Sequence, residues 1–108
     1  MIDRYFIYSP KHTRRGDPYI TFWRPDRAGY VWPLERAGSY TEEEAREIAY
    51  SDALPVPVWK AIKLSSKPRP NTIDGDAGPA VRNTKANREA LVTAAEFVSS
   101  QTLKREVA

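Results

Sequence analysis

A chain of 108 residues has room for one domain around a single core, and 41% hydrophobic residues with three Trp exclude wholesale disorder. The absence of cysteine excludes disulfides and thiolate metal sites and fits a reducing compartment. The net charge of +3 is concentrated at the two ends: residues 1–36 carry seven Lys/Arg against four Asp/Glu, residues 37–64 three against five, and residues 65–108 seven against five. That excess is weaker than a dedicated nucleic-acid module shows on one face.

In chain order, residues 4–9 form a short aromatic and β-branched run stopped by Pro10, which predicts a strand with a turn after it. Lys11, His12, Arg14 and Arg15 lie in a polar loop that ends at Pro18, and residues 19–23 predict the next strand. Pro25, Asp26 and Gly29 carry the chemistry of a reverse turn, and Tyr30, Val31 and Trp32 resume an extended pattern before Pro33. Residues 1–36 therefore read as a three-stranded antiparallel meander.

Thr41 followed by Glu44 is a capping box, with Glu42 and Glu43 beside it at the positive helix end. It predicts a helix over residues 42–50 with Ala45, Ile48 and Ala49 turned inward. Pro55 and Pro57 break it, and Pro57 suits the first turn of a second short helix whose apolar side is Val58, Trp59, Ala61 and Ile62. Residues 41–64 thus hold two short helices. Residues 65–82 read as a proline- and glycine-marked loop, and residues 83–99 as a last helix capped by Asn83 or Thr84 with Leu91, Ala94, Ala95 and Val98 on its inner face. Residues 100–108 read as a tail. The fold class is α+β: a three-stranded antiparallel sheet followed by three helices in one domain.

From Arg4 to Trp32 the chain interleaves eight aromatic rings with six bases. Strand alternation groups Tyr5, Ile7, Ile20, Phe22 and Val31 on one face, with Phe6, Tyr8, Tyr19, Trp23, Tyr30 and Trp32 on the other. The second face is either a stacking surface of the kind single-strand binders use, or is covered by the last helix, a long loop or a second copy of the chain. Clustered arginines in the loops suit recognition of phosphate or carboxylate, because each presents a planar fork of donors.

His12 is the only histidine, so neither a multi-histidine metal site nor a serine–histidine–aspartate arrangement has spare parts. Asp74-Gly75-Asp76 reads as a turn, since Gly78 and Ala80 stand where a calcium-binding loop continues its ligands. Glu42, Glu43 and Glu44 are accounted for by the helix dipole. No catalytic residue, metal or cofactor is assigned. No stretch approaches a membrane span and no apolar run follows Met1, so a cytoplasmic location and no membrane partner are expected.

The run from Tyr19 to Asp26, then Ala28-Gly29-Tyr30 with Trp32, residues 38–44, and the later segment 74–79 with Val81 and Asn83 resemble a family of small uncharacterised proteins encoded by tailed phages and prophages. The resemblance covers most of the chain and carries no catalytic residues. It implies a bacterial-host setting and an accessory protein that binds a host or defence component, as anti-CRISPR and other anti-defence inhibitors do. This chain is less acidic than a charge mimic of DNA would be.

The reading at this level is a non-enzymatic protein that binds a bacterial protein or nucleoprotein, with single-stranded nucleic acid as the alternative partner. Protein interfaces concentrate affinity in Trp, Tyr and Arg. The predicted contact centre is Tyr19, Trp23, Arg24, Tyr30 and Trp32, with Arg14, Arg15 and Arg27 on its rim.

Overall fold

The computed structural model describes residues 4–48, 53–66 and 78–107, with side chains in the last helix described at 85–96 and 98. Among the described residues four strands and three α-helices follow one another as β1 (Tyr5–Tyr8), β2 (Phe22–Trp23), β3 (Tyr30–Val31), α1 (Glu42–Ile48), β4 (Leu54–Pro57), α2 (Val58–Leu64) and α3 (Lys85–Val107). The sheet is antiparallel in the order β3-β2-β1-β4. The expected meander is present, and a fourth strand joins its far edge.

That fourth strand corrects the reading of Pro55 and Pro57 as breakers alone. β4 pairs with β1 in the register Tyr5↔Pro57, Phe6↔Val56, Ile7↔Pro55 and Tyr8↔Leu54. The Val58 amide donates to the Arg4 carbonyl at 3.0 Å. Antiparallel ladders alternate, so the even-numbered positions turn their amides toward β1 and both prolines turn theirs away from it. An edge strand tolerates proline in that phase alone.

The expected grouping of strand side chains also shifts by one residue. Tyr8 stands opposite Phe22, so Phe22 joins Phe6 and Tyr8 rather than Tyr5 and Ile7. Phe6, Tyr8, Ile20, Phe22 and Val56 form the main core with Leu34, Ala61, Val81 and Leu91. On the opposite face Ile7 packs with Tyr40, Ile48, Ala53 and the half-buried Trp23, and Tyr5 packs with Ala45 and Val98. All four residues of β1 are buried, so both faces of the sheet are covered there: of the predicted aromatic face Phe6, Tyr8 and Tyr19 are buried and Trp23 and Trp32 half-buried, while Tyr30 on β3 stays exposed. Each large apolar side chain so buried contributes roughly 1.5–3 kcal/mol.

The predicted strand over residues 19–23 is divided. Tyr19 bridges to Arg82 and the Ile20 amide donates to the Val81 carbonyl at 2.8 Å, whereas Phe22 and Trp23 pair within the sheet. The segment that leads into α3 therefore extends the meander beyond its own strands.

α1 begins with the expected capping box. The Glu44 amide donates to Thr41 Oγ1 at 3.2 Å and the Thr41 amide donates to Glu44 Oε1 at 3.0 Å. Those bonds hold the Glu44 carboxyl below its usual value, the Thr41 backbone N–H contributing most. The predicted end of this helix at Tyr50 lies outside the described residues. In α2, Ala61 is buried while Trp59 and Ile62 face solvent, which reverses their predicted inward orientation. α3 is capped by Thr84, whose Oγ1 accepts from the Asn87 amide at 3.1 Å. It continues to Val107 where a tail was expected beyond residue 99. Of the predicted loop over residues 65–82, Ser66 and Ala80 clasp each other by reciprocal amide–carbonyl bonds of 2.9 and 3.0 Å. Asp74-Gly75-Asp76 lies outside the described residues.

Candidate functional site: a basic pocket beside β3

The turn between β2 and β3 sets the position of the arginines. Asp26 and Arg27 both adopt positive φ, near 57° and 58°, a conformation uncommon outside glycine. What holds it is Tyr40. Its hydroxyl donates to the Arg24 carbonyl and accepts from the Arg27 amide at 3.0 Å. Burial pushes the Tyr40 phenol up, with the Arg27 N–H opposing. Gly38 lies so close that a Cβ there would stand 2.8 Å from Arg24 C and O and from Pro25 Cα. Its amide donates to the Trp23 carbonyl at 2.8 Å.

The basic loop between β1 and β2 is fixed by side chains rather than by a ladder. Ser9, 1% exposed, presents Oγ at 2.9 Å from His12 Nδ1. Thr13 Oγ1 donates to the Ser9 carbonyl at 2.8 Å and accepts from the Thr21 amide at 3.0 Å, and Thr21 Oγ1 donates to the His12 carbonyl at 2.9 Å. The Arg14 amide donates to Asp17 Oδ2 at 2.9 Å, and the Asp17 amide returns a bond of 2.9 Å to the Arg14 carbonyl. Asn83, just ahead of α3, reaches back so that its Nδ2 donates to the carbonyls of Arg14 and Asp17 at 3.0 and 2.9 Å. Arg88 donates to Asn83 Oδ1 at 2.7 Å and holds that amide in place.

These two segments enclose a pocket of about 420 Å³. Arg14, Arg24 and Arg36 supply its charge, His12, Tyr30 and Trp32 its rings, and Asp17 and Thr21 further polar groups. His12 stacks on Tyr30 with ring centroids 3.8 Å apart and planes 21° from parallel. Tyr30 remains 46% exposed, so its ring is offered to solvent on the side His12 does not cover. Trp32 Nε1 donates to Thr21 Oγ1 at 3.1 Å, which fixes the indole in the wall. Among the described residues no carboxylate stands within ion-pair distance of the Arg14 or Arg24 guanidinium. Three guanidinium groups around one concavity favour an anion, with donor geometry that suits carboxylate or phosphate.

Of the eight residues predicted to bind, Arg14, Arg24, Tyr30 and Trp32 converge on this pocket. The other four stand apart from it. Tyr19 is 5% exposed, packed against Ala80 and tilted on Trp32 at 5.8 Å. Trp23 packs on the Ile7 side of the sheet. Arg27 turns toward α1, where its guanidinium lies 3.5 Å from Glu47. Arg15 is exposed and does not line the pocket. His12, Arg36, Asp17 and Thr21 were not singled out as binding residues. The signal for His12 was local: Ser9-Pro10 followed by His12 and Thr13 is turn chemistry, with hydroxyls placed to bond the backbone. Arg36 had no comparable signal, since its place follows from burial of Leu34 beneath the main core.

The Ser9–His12 pair does not make an acyl-transfer site, because the hydroxyl is buried and also accepts from the His12 amide at 3.4 Å. Among the described residues no group of three or more His, Asp or Glu is placed to hold a metal ion, and no helix is long and apolar enough to cross a membrane.

Comparison of the chain with protein-family models, with curated proteins and with solved structures finds no match.

Proposed function

We propose that this chain is a non-enzymatic binding protein that captures an anionic macromolecular partner at the pocket between the basic loop and β3. The observation that carries the reading is the convergence of Arg14, Arg24 and Arg36 on one concavity. Arginine is the side chain best suited to this task, being always charged and presenting a bidentate fork to carboxylate or phosphate. The loop that carries Arg14 is tied down at Ser9, Thr13, Thr21 and Asn83, so little ordering entropy remains to be lost when a partner docks. A bacterial protein or nucleoprotein is the proposed partner. The role of phage-type accessory protein or inhibitor enters on the sequence resemblance alone.

The test is affinity capture from bacterial lysate, with and without nuclease, using the wild-type chain and an Arg14→Gln/Arg24→Gln double variant. Both side chains are exposed, so the variant should keep the fold. Loss of the captured partner in the variant is the expected result. Equal capture by both proteins places the binding surface elsewhere.

A further inference from the structure

The pocket joins two chemistries that a simple anion site does not need together. Its charge comes from Arg14, Arg24 and Arg36, and its walls include the planar groups of His12, Tyr30 and Trp32. A carboxylate side chain would engage the guanidinium groups and leave the rings without a counterpart. Resting on the reading of this pocket as the binding site, the geometry points to a nucleotide as the group it takes, presented by a single strand of nucleic acid or free in solution.

Three observations lead there. The volume, about 420 Å³, lies in the range of small-ligand sites rather than of a flat macromolecular contact. The Tyr30 ring is held in advance: His12 covers one side at 3.8 Å and is itself fixed to the buried Ser9. A ring so held accepts a base by stacking with little further loss of freedom. Asp17 spends a lone pair on the Arg14 amide, and a carboxylate has others left to accept from the N–H donors on a base edge.

The same geometry selects against duplex. In a double helix the bases are stacked inside and present only their edges in the grooves, so a concave pocket with a ring platform finds no base face to stack upon. An unpaired nucleotide presents base and phosphate together. Its phosphate falls to the arginines and its base to Tyr30.

Fluorescence anisotropy with a fluorescein-labelled thymidine decamer at low salt tests this. The strand should bind, with log affinity falling against log salt at a slope of roughly −0.7 to −1.4, the value for one or two phosphate contacts on a single strand. Tyr30→Leu keeps side-chain bulk at an exposed position; it should leave the melting temperature unchanged and weaken binding by roughly 5- to 150-fold, the loss of one base stack. Arg24→Gln should flatten the salt slope by about 0.7. The same sequence as a duplex should bind at least about fivefold more weakly, for want of that stack. Thymidine 5′-phosphate competing as well as a nucleotide of the strand assigns a free nucleotide as the ligand; competition by the strand alone assigns the strand.

Unchanged binding by Tyr30→Leu, equal binding of the duplex, or competition by inorganic phosphate equal to that of thymidine 5′-phosphate overturns the nucleotide assignment. If a glutamate-rich peptide binds, loses binding on Arg24→Gln, and no nucleotide binds, the nucleotide assignment falls and the anionic-partner reading stands. If neither peptide nor nucleotide binds, both fall.

Discussion

Tyr40 is the residue on which the arginine-bearing turn depends. Its hydroxyl satisfies the Arg24 carbonyl and the Arg27 amide from beneath a buried ring. Tyr40→Phe leaves both backbone groups without their partner and should cost about 1–3 kcal/mol in a denaturant titration. Gly38→Ala drives a methyl into the Arg24–Pro25 backbone and should cost a similar 1–3 kcal/mol, read the same way. The pH dependence follows in sign. Burial raises the phenols of Tyr8 and Tyr40, with Arg88 opposing at Tyr8. A raised folded value means that the stabilisation is full below the ordinary phenol value, about 10, and is lost as pH rises through the higher folded value. Melting temperature should therefore fall more steeply above that pH in wild type than in Tyr40→Phe. At this scale the sequence was partly legible. Arg14, Arg24, Tyr30 and Trp32 stood out as rings and forks near turns, but nothing local showed that Tyr19 would be sealed by Ala80 or that Trp23 would pack against Ile7 and Ile48. Those partners lie far away in the chain.

The elements were legible where they are made by local chemistry. The Thr41–Glu44 box is such a case, because both bonds are made within one turn. Thr41→Ala should cost about 1 kcal/mol, and unchanged stability would remove Thr41 as a cap. The Glu44 carboxyl, held low by the Thr41 amide, stabilises α1 above the ordinary carboxylate range and loses that effect as pH falls through its depressed folded value. Helicity measured by circular dichroism should accordingly decline less on acidification in Glu44→Gln, which has no carboxyl to titrate there, than in wild type. β4 was illegible because two prolines in four residues oppose a strand by propensity. Only pairing with β1 along an edge, with both proline nitrogens turned outward, makes them acceptable. The register between β1 and β2 was likewise a tertiary matter, decided by Tyr8 meeting Phe22. That shift of one residue brings Phe22 onto the side of Phe6 and Tyr8, where alternation alone could not choose between an open and a covered face.

At the scale of the molecule, the pocket is assembled from the loop after β1, Arg24 just past β2, strand β3 and the turn that follows it, and it is braced by Asn83 just ahead of α3. Asn83→Ala removes that brace without touching the pocket wall. Amide hydrogen exchange over residues 14–17 should speed up, and protection equal to wild type would show that Ser9, Thr13 and Thr21 hold the loop by themselves. The exposed apolar residues Trp59, 64% exposed, and Ile62 lie on α2 and supply a clear alternative location for a partner. The two surfaces are separated by a single experiment: an NMR titration of the isotope-labelled chain with the thymidine decamer and then with a glutamate-rich peptide. Shift changes are expected to centre on His12, Asp17, Thr21, Arg24 and Tyr30 and on the Trp32 indole N–H, with α2 unmoved. Changes confined to Trp59, Ile62 and their neighbours, or none with either anion, would contradict the pocket as the binding site.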